Sequence, residues 1–80
     1  MNNKNFIIKN IDKIHTTDMG LNRIKKNLDI DANVIAYIKN KILENNAVFI
    51  SKGKNIYCEV DDIIITINRY SFTIITAHKK

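Results

Sequence analysis

The apolar spacing of this chain changes at Ala47, and that change confines the fold to one class. Before it, Ile, Leu and Val recur three and four residues apart, as on a helix with one buried side. After it they recur at alternate positions in four short runs, Ala47–Lys52, Asn55–Val60, Ile63–Asn68 and Ser71–Ala77. That is the pattern of strands with one buried face. The separators Gly53-Lys54, Asp61-Asp62 and Arg69-Tyr70 have hairpin length. The expected architecture is α+β, with two or three N-terminal helices on one face of a four-stranded antiparallel meander.

In the helical half, Thr16-Thr17-Asp18 supplies a hydroxyl N-cap and an acid in the first turn. Leu21, Ile24 and Leu28 follow as one stripe, with Arg23, Lys25 and Lys26 off it. Asp29 or Asp31 is expected to start the next helix, whose stripe is Val34, Ile35, Ile38 and Ile42 and whose end is Asn45-Asn46. Residues 1–14, with Phe6, Ile7, Ile11 and Ile14, read as an arm or short helix ahead of a single domain over 15–80.

Taken literally, the three turns fix a register. Val60 faces Ile63, Cys58 faces Ile65 and Ile56 faces Ile67, with Phe49 beside Cys58. Across the last hairpin, Ile67 meets Phe72, Ile65 meets Ile74 and Ile63 meets Thr76. This gives one nearly continuous apolar face, and a slip by one residue would turn it into water.

The opposite face then carries three rows: Ile50, Tyr57, Thr66, Thr73; Val48, Glu59, Ile64, Ile75; and Lys52, Asn55, Asn68, Ser71. Lys54, Arg69 and Tyr70 lie in the adjoining turns. Hydroxyls and amides donate to phosphate oxygens, Lys and Arg neutralise them, and Tyr offers a stacking plane. Lys52, Lys54, Asn55, Tyr57, Thr66, Asn68, Arg69, Ser71 and Thr73 are therefore the candidate ligand-binding residues. The same types also occur on any solvated sheet, where Thr and Tyr are good strand formers. Val48, Ile50, Ile64 and Ile75 make an apolar strip suited to a protein partner or a homodimer.

Composition narrows the classes further. Eighty residues with 13 Lys and Arg against 8 Asp and Glu carry a net charge of +5, compatible with an anionic partner or with a plain soluble surface. The 17 Ile and 12 Asn point to an AT-rich coding sequence, which lowers the weight of the Lys count. One cysteine, Cys58, excludes an internal disulfide and a Cys-rich zinc set. No apolar run reaches the ~20 residues of a membrane span, and a cytoplasmic location without membrane attachment is expected. No metal site and no cofactor are expected, because the two histidines are separated and no P-loop or Gly-rich cradle occurs.

His15 and His78 are the ready acid–base groups at neutral pH. A metal-free ribonuclease needs a base, an acid and a cation, roles that His78 and Glu59 with Lys52, Lys54 or Arg69 supply on paper. The alternative for His78 is a solvated terminal histidine, and for Glu59 a strand residue paired to lysine. Whether His15 approaches the sheet is not legible.

Three strings carry a resemblance: His15-Thr16-Thr17 with Gly20 and Arg23–Leu28; Gly53-Lys54-Asn55-x-Tyr57; and Ile65–Asn68 with Ser71 and Thr73–Lys79. Over about His15 to Lys79 the chain resembles a small bacterial family defined by a domain of unknown function. The resemblance implies no activity. It marks Lys54, Asn55, Tyr57, Asn68, Ser71, Thr73 and His78, and where the family has a basic residue before Lys52 this chain has Ser51. The order of elements is also similar to RelE- and barnase-like ribonuclease toxins and BrnT-type toxins, an analogy of fold alone. The expected function is a small basic binding module acting through its open sheet face on RNA or a nucleotide-like anion. The alternatives are a toxin-type endoribonuclease and a stoichiometric protein inhibitor encoded by a phage or mobile element.

Overall fold

Thr17 starts the first long helix as its N-cap, its hydroxyl oxygen accepting from the Gly20 N–H at 3.0 Å. The computed structural model describes residues 3–31 and 33–80. It comprises α1 (Asn3–Lys9), a 3-10 turn (Ile11–Lys13), α2 (Asp18–Leu28), α3 (Val34–Ile42), β1 (Val48–Lys52), β2 (Asn55–Val60), β3 (Ile63–Asn68) and β4 (Ile74–Lys79). The strands form one antiparallel sheet in the order β1-β2-β3-β4, so the expected α+β architecture is the observed one.

The second helix does not start at Asp29 or Asp31. Asp29 takes φ +54 and closes α2, its N–H donating to the Lys25 carbonyl. A residue used as a left-handed C-cap is not free to begin the next helix. Asn33 does so instead, accepting from the Ala36 N–H at 3.1 Å. α3 ends at Ile42, ahead of Asn45-Asn46.

One core joins the helices to the inner sheet face. Ile24, Leu28, Val34, Ile38 and Ile42 meet Ile56, Cys58, Val60, Ile63, Ile65 and Ile67. Ile7 and Ile14 are buried in the same core, which places the opening segment against it. The first two residues of that segment lie outside the described region. Each isoleucine removed from water contributes about 1.5–3 kcal/mol.

The first two hairpins have the expected register. Phe49 pairs with Cys58, Cys58 with Ile65, Ile56 with Ile67 and Val60 with Ile63. Gly53 takes φ +61 at the first turn position while Lys54 stays negative, as a type II′ turn requires. Asp61 takes φ +54 in the second turn, a conformation Asp tolerates better than most residues.

The third hairpin differs. Ile67 pairs with Ile74, Thr66 with Thr76, Ile65 with Ala77, Ile64 with His78 and Ile63 with Lys79. Arg69-Tyr70 is not a two-residue turn, because neither residue favours positive φ. A four-residue loop, Arg69–Phe72, replaces it, with Phe72 at φ +58. Asn68 Oδ1 accepts from the N–H groups of Tyr70 and Ser71 at 2.9 and 3.0 Å, and the Phe72 N–H donates to the Asn68 carbonyl. The strand therefore starts at Ile74, not Ser71, and a bulge follows at once. Ile74 and Ala77 are both buried, three apart, so Ile75 and Thr76 occupy the outer face together. The expected pairs Ile67–Phe72, Ile65–Ile74 and Ile63–Thr76 do not form; nor does Thr66 face Thr73, Ile64 face Ile75 or Asn68 face Ser71.

The outer edge of β4 is covered by the chain entering α2. Ile74 N–H donates to the His15 carbonyl at 2.7 Å, and Thr16 Oγ1 donates to the Ile74 carbonyl at 2.9 Å. Asn27 Nδ2 reaches the Ala77 carbonyl at 3.3 Å. Gly20 fits this seal closely: a Cβ on it would collide with Thr16 Oγ1. Exchange of a helical Gly for Ala ordinarily stabilises by about 1 kcal/mol. Here Gly20→Ala pushes the hydroxyl off the Ile74 carbonyl, and the expected outcome is a loss of about 1–3 kcal/mol in urea unfolding.

Candidate functional site

Two turns meet at one end of the sheet. The Arg69 N–H donates to the Lys54 carbonyl at 2.9 Å, tying the β3–β4 loop to the β1–β2 hairpin. Arg69 Nη1 donates to Ser51 Oγ at 3.0 Å, and the guanidinium lies 5.8 Å from the centre of the Tyr70 ring. Tyr70 is 74% exposed, so its other face is open to a ligand. Lys52, Asn55 and Asn68 form the adjoining row across β1, β2 and β3. Asn68 Oδ1 is committed to the loop, which makes this residue a positioning group.

Ser71 and Thr73 belong to this end too, but not to the open-face rows. Ser71 Oγ lies 2.8 Å from Thr73 Oγ1, which lies 3.2 Å from His15 Nε2. His15 Nδ1 is 2.8 Å from the Lys13 carbonyl oxygen. A carbonyl only accepts, so Nδ1 carries a hydrogen, and Nε2 accepts when the ring bears no second one. Thr73 then donates to His15, and its oxygen accepts from Ser71. The result is a directed row of two hydroxyls ending on an oriented imidazole. His15 thus approaches the sheet from 58 residues away along the chain. The sequence marks His15 as an acid–base group, but its approach to Thr73 depends on long-range packing that local spacing does not reveal.

On the outer face itself, Tyr57 is half-buried between Ile50 and Thr66. Thr66 is only 7% exposed, so it forms the floor of the face and not a contact point. Ile50, Lys52, Tyr57, Glu59 and Ile64 line an open depression of about 280 Å³. Val48 and Ile50 are about half exposed on β1, Ile64 lies between Glu59 and His78, and Ile75 is exposed in the bulge.

His78 and Glu59 share one row, but Ile64 and a whole strand separate them. Two strand spacings put them about 9.5 Å apart. Glu59 pairs with Lys80 at 3.2 Å, and the His78 ring nitrogen Nδ1 lies 3.0 Å from the Lys79 carbonyl. Lys52, Lys54 and Arg69 stand at the other end of the strands. The structure thus brings the ligand-binding candidates at the β1–β2 and β3–β4 turns together and leaves His78 and Glu59 apart from them. Lys79 and Lys80 are likewise at the far end.

That far end holds both signs of charge, largely paired. Asp61 accepts from Lys41 at 2.6 Å and from Asn46 at 3.0 Å. These bonds, Lys41 foremost, hold the Asp61 carboxyl below its ordinary 3.8. Asp61 in turn raises the Lys41 ammonium above 10.5. On the inner face, burial pushes the Cys58 thiol up to about 12, which makes it inert. Among the described residues no group of three His, Cys, Asp or Glu side chains could hold a metal, and no helix is long and apolar enough to cross a membrane.

A lowered carboxyl contributes stability above its unfolded value and loses it as pH falls through the folded one. A raised ammonium contributes below its unfolded value and loses it as pH rises through the folded one. The pair therefore contributes between about 3.8 and 10.5. Thermal unfolding of wild type and Asp61→Asn is expected to differ inside that interval and to converge beyond both ends.

No curated protein and no solved structure matches this chain. A family model described as "Protein of unknown function (DUF3781)" matches residues 8–78, from the end of α1 to the end of β4. The matched region holds both turns of the cationic end, the His15–Thr73–Ser71 row and the sheet, and the chain belongs to the DUF3781 family.

Proposed function

We propose that this protein binds single-stranded RNA or a related phosphodiester at the cationic end of its sheet. One observation carries the proposal: among the described residues the ion pairs lie at one end of the strands and unpaired cations at the other. Lys52, Lys54 and Arg69 stand at the β1–β2 and β3–β4 turns, while Glu59 and Asp61 toward the opposite end are paired with Lys80 and Lys41. The ion pairs among the described residues, Lys41–Asp61 and Lys80–Glu59, belong to that opposite end. The three cations are thus left without a carboxylate of their own. An exposed aromatic ring beside unneutralised cations is the elementary arrangement for a single strand, with phosphates on the cations and a base on the ring. Ser71 and Thr73 extend the same end with hydroxyl groups that contact phosphate or ribose.

Fluorescence anisotropy with a labelled oligouridine tests this. Affinity is expected to fall as salt rises, with log–log slope about −0.7 per phosphate neutralised. Lys54→Ala and Arg69→Ala each flatten that slope by about one contact, and Tyr70→Ala costs about 1–3 kcal/mol. His78→Ala leaves binding unchanged. No anisotropy change at low salt, or binding indifferent to Lys54 and Arg69, removes the proposal.

A further inference from the structure

Three consecutive loop residues, Arg69, Tyr70 and Ser71, bring a cation, an exposed ring and an exposed hydroxyl to the cationic end. The backbone beneath them is already occupied. The N–H groups of Tyr70 and Ser71 donate to Asn68 Oδ1, and that of Phe72 donates to the Asn68 carbonyl. A ligand at this loop therefore meets side chains and not these backbone donors.

What the Ser71 hydroxyl offers is set from the far end of its row. The Lys13 carbonyl, 2.8 Å from His15 Nδ1, holds a hydrogen on that nitrogen, so a neutral ring has only an acceptor at Nε2. Thr73 gives its single hydrogen to Nε2 at 3.2 Å. The 2.8 Å contact between the two hydroxyls then takes its hydrogen from Ser71. With that hydrogen turned inward, Ser71 Oγ presents only lone pairs to the outside. The Thr16 hydroxyl takes no part, because it donates to the Ile74 carbonyl.

An acceptor at this position has no use for a phosphate oxygen, which also only accepts. It calls for a donor. The sugar of a single strand supplies one in RNA, the 2′-hydroxyl, and none in DNA. Ser71 directly follows Tyr70, beside the ring assigned to a base. We propose that Ser71 accepts a hydrogen bond from the 2′-hydroxyl of the nucleotide stacked on Tyr70, and so selects RNA over DNA. This rests on the RNA-binding reading of the cationic end and adds which sugar that end takes. Thr73 and His15 are positioning residues here, since they keep the Ser71 hydrogen turned inward.

Fluorescence anisotropy at about pH 8, where neutral imidazole is the ordinary form, tests this with three labelled strands. They are oligouridine, its 2′-deoxy counterpart and its 2′-fluoro counterpart, which keeps a ribose-like pucker but has no hydrogen to donate. The wild type is expected to bind the ribose strand about three- to tenfold more tightly than either of the others, as for one hydrogen bond of ordinary net strength. Ser71→Ala brings that ratio to about one. Thr73→Val does the same although Ser71 is retained, because the Ser71 hydrogen is then free to turn outward, and Thr73→Ser restores the preference. His15→Ala also lowers the ratio, while the backbone bonds of residue 15 to Phe72 and Ile74 remain. Three strands bound alike by the wild type, still through Lys54 and Arg69, overturn this inference and leave the cationic site standing. A preference that survives Ser71→Ala or Thr73→Val overturns it as well. The deoxy strand keeps every base N–H, so an equal loss on ribose and deoxy strands assigns Ser71 to a base edge and also overturns it. Absence of binding to every strand overturns both readings.

Discussion

The rows of apolar side chains on the inner sheet face are the constraint on which the molecule rests. Phe49, Cys58, Ile65 and Ala77 form one row, and Ile56, Ile67 and Ile74 another. An 80-residue chain has room for one such surface, and three helices are spent covering it. Because strands alternate, burying these rows fixes the opposite side chains as well. The bulge on β4 follows from the same requirement. Ile74 and Ala77 both reach the core only if one extra residue is accommodated between them, and that residue leaves Ile75 and Thr76 outside.

Much of this is legible in the sequence because its signals are local. The stripes Ile24–Leu28 and Val34–Ile38–Ile42 are buried as their spacing requires, and Gly53 and Asp61 mark turns that need positive φ. The third hairpin is not legible for a physical reason. Its turning residue is Phe72, whose left-handed backbone runs against its own preference. It is held there by Asn68 and by the His15 N–H on its carbonyl, together with burial of its ring 5.5 Å from Phe6. These contacts come from distant parts of the chain. Ile74-Ile75-Thr76-Ala77 also lacks a clear polar phase, so alternation alone does not choose which residues face in. The same distance hides the His15–Thr73–Ser71 row, although its residues stand in recognisable strings. Lys54, Arg69 and Tyr70 were legible as turn residues, whereas the separation of His78 from them depends on the register that the loop sets.

Turn chemistry also sets the electrostatics. The β2–β3 turn needs a residue that accepts positive φ, and Asp61 meets that need with a carboxylate that draws in Lys41 and Asn46. The β1–β2 turn uses Gly53, which brings no charge, so Lys52 and Lys54 beside it are not neutralised locally. A backbone requirement at two turns thus decides which end of the sheet holds an ion pair and which holds unpaired lysines. The cationic turn is pinned to Arg69 through a backbone hydrogen bond.

The sealed edge of β4 has a topological consequence. A sheet with two open edges can be extended from both sides, and repeated extension leads to filaments. With Ile74 saturated by His15 and Thr16, the start of β4 offers no free backbone group to a further strand. The short polar segment entering α2 therefore does for the start of β4 what a fifth strand would otherwise do, taking up its outward backbone groups.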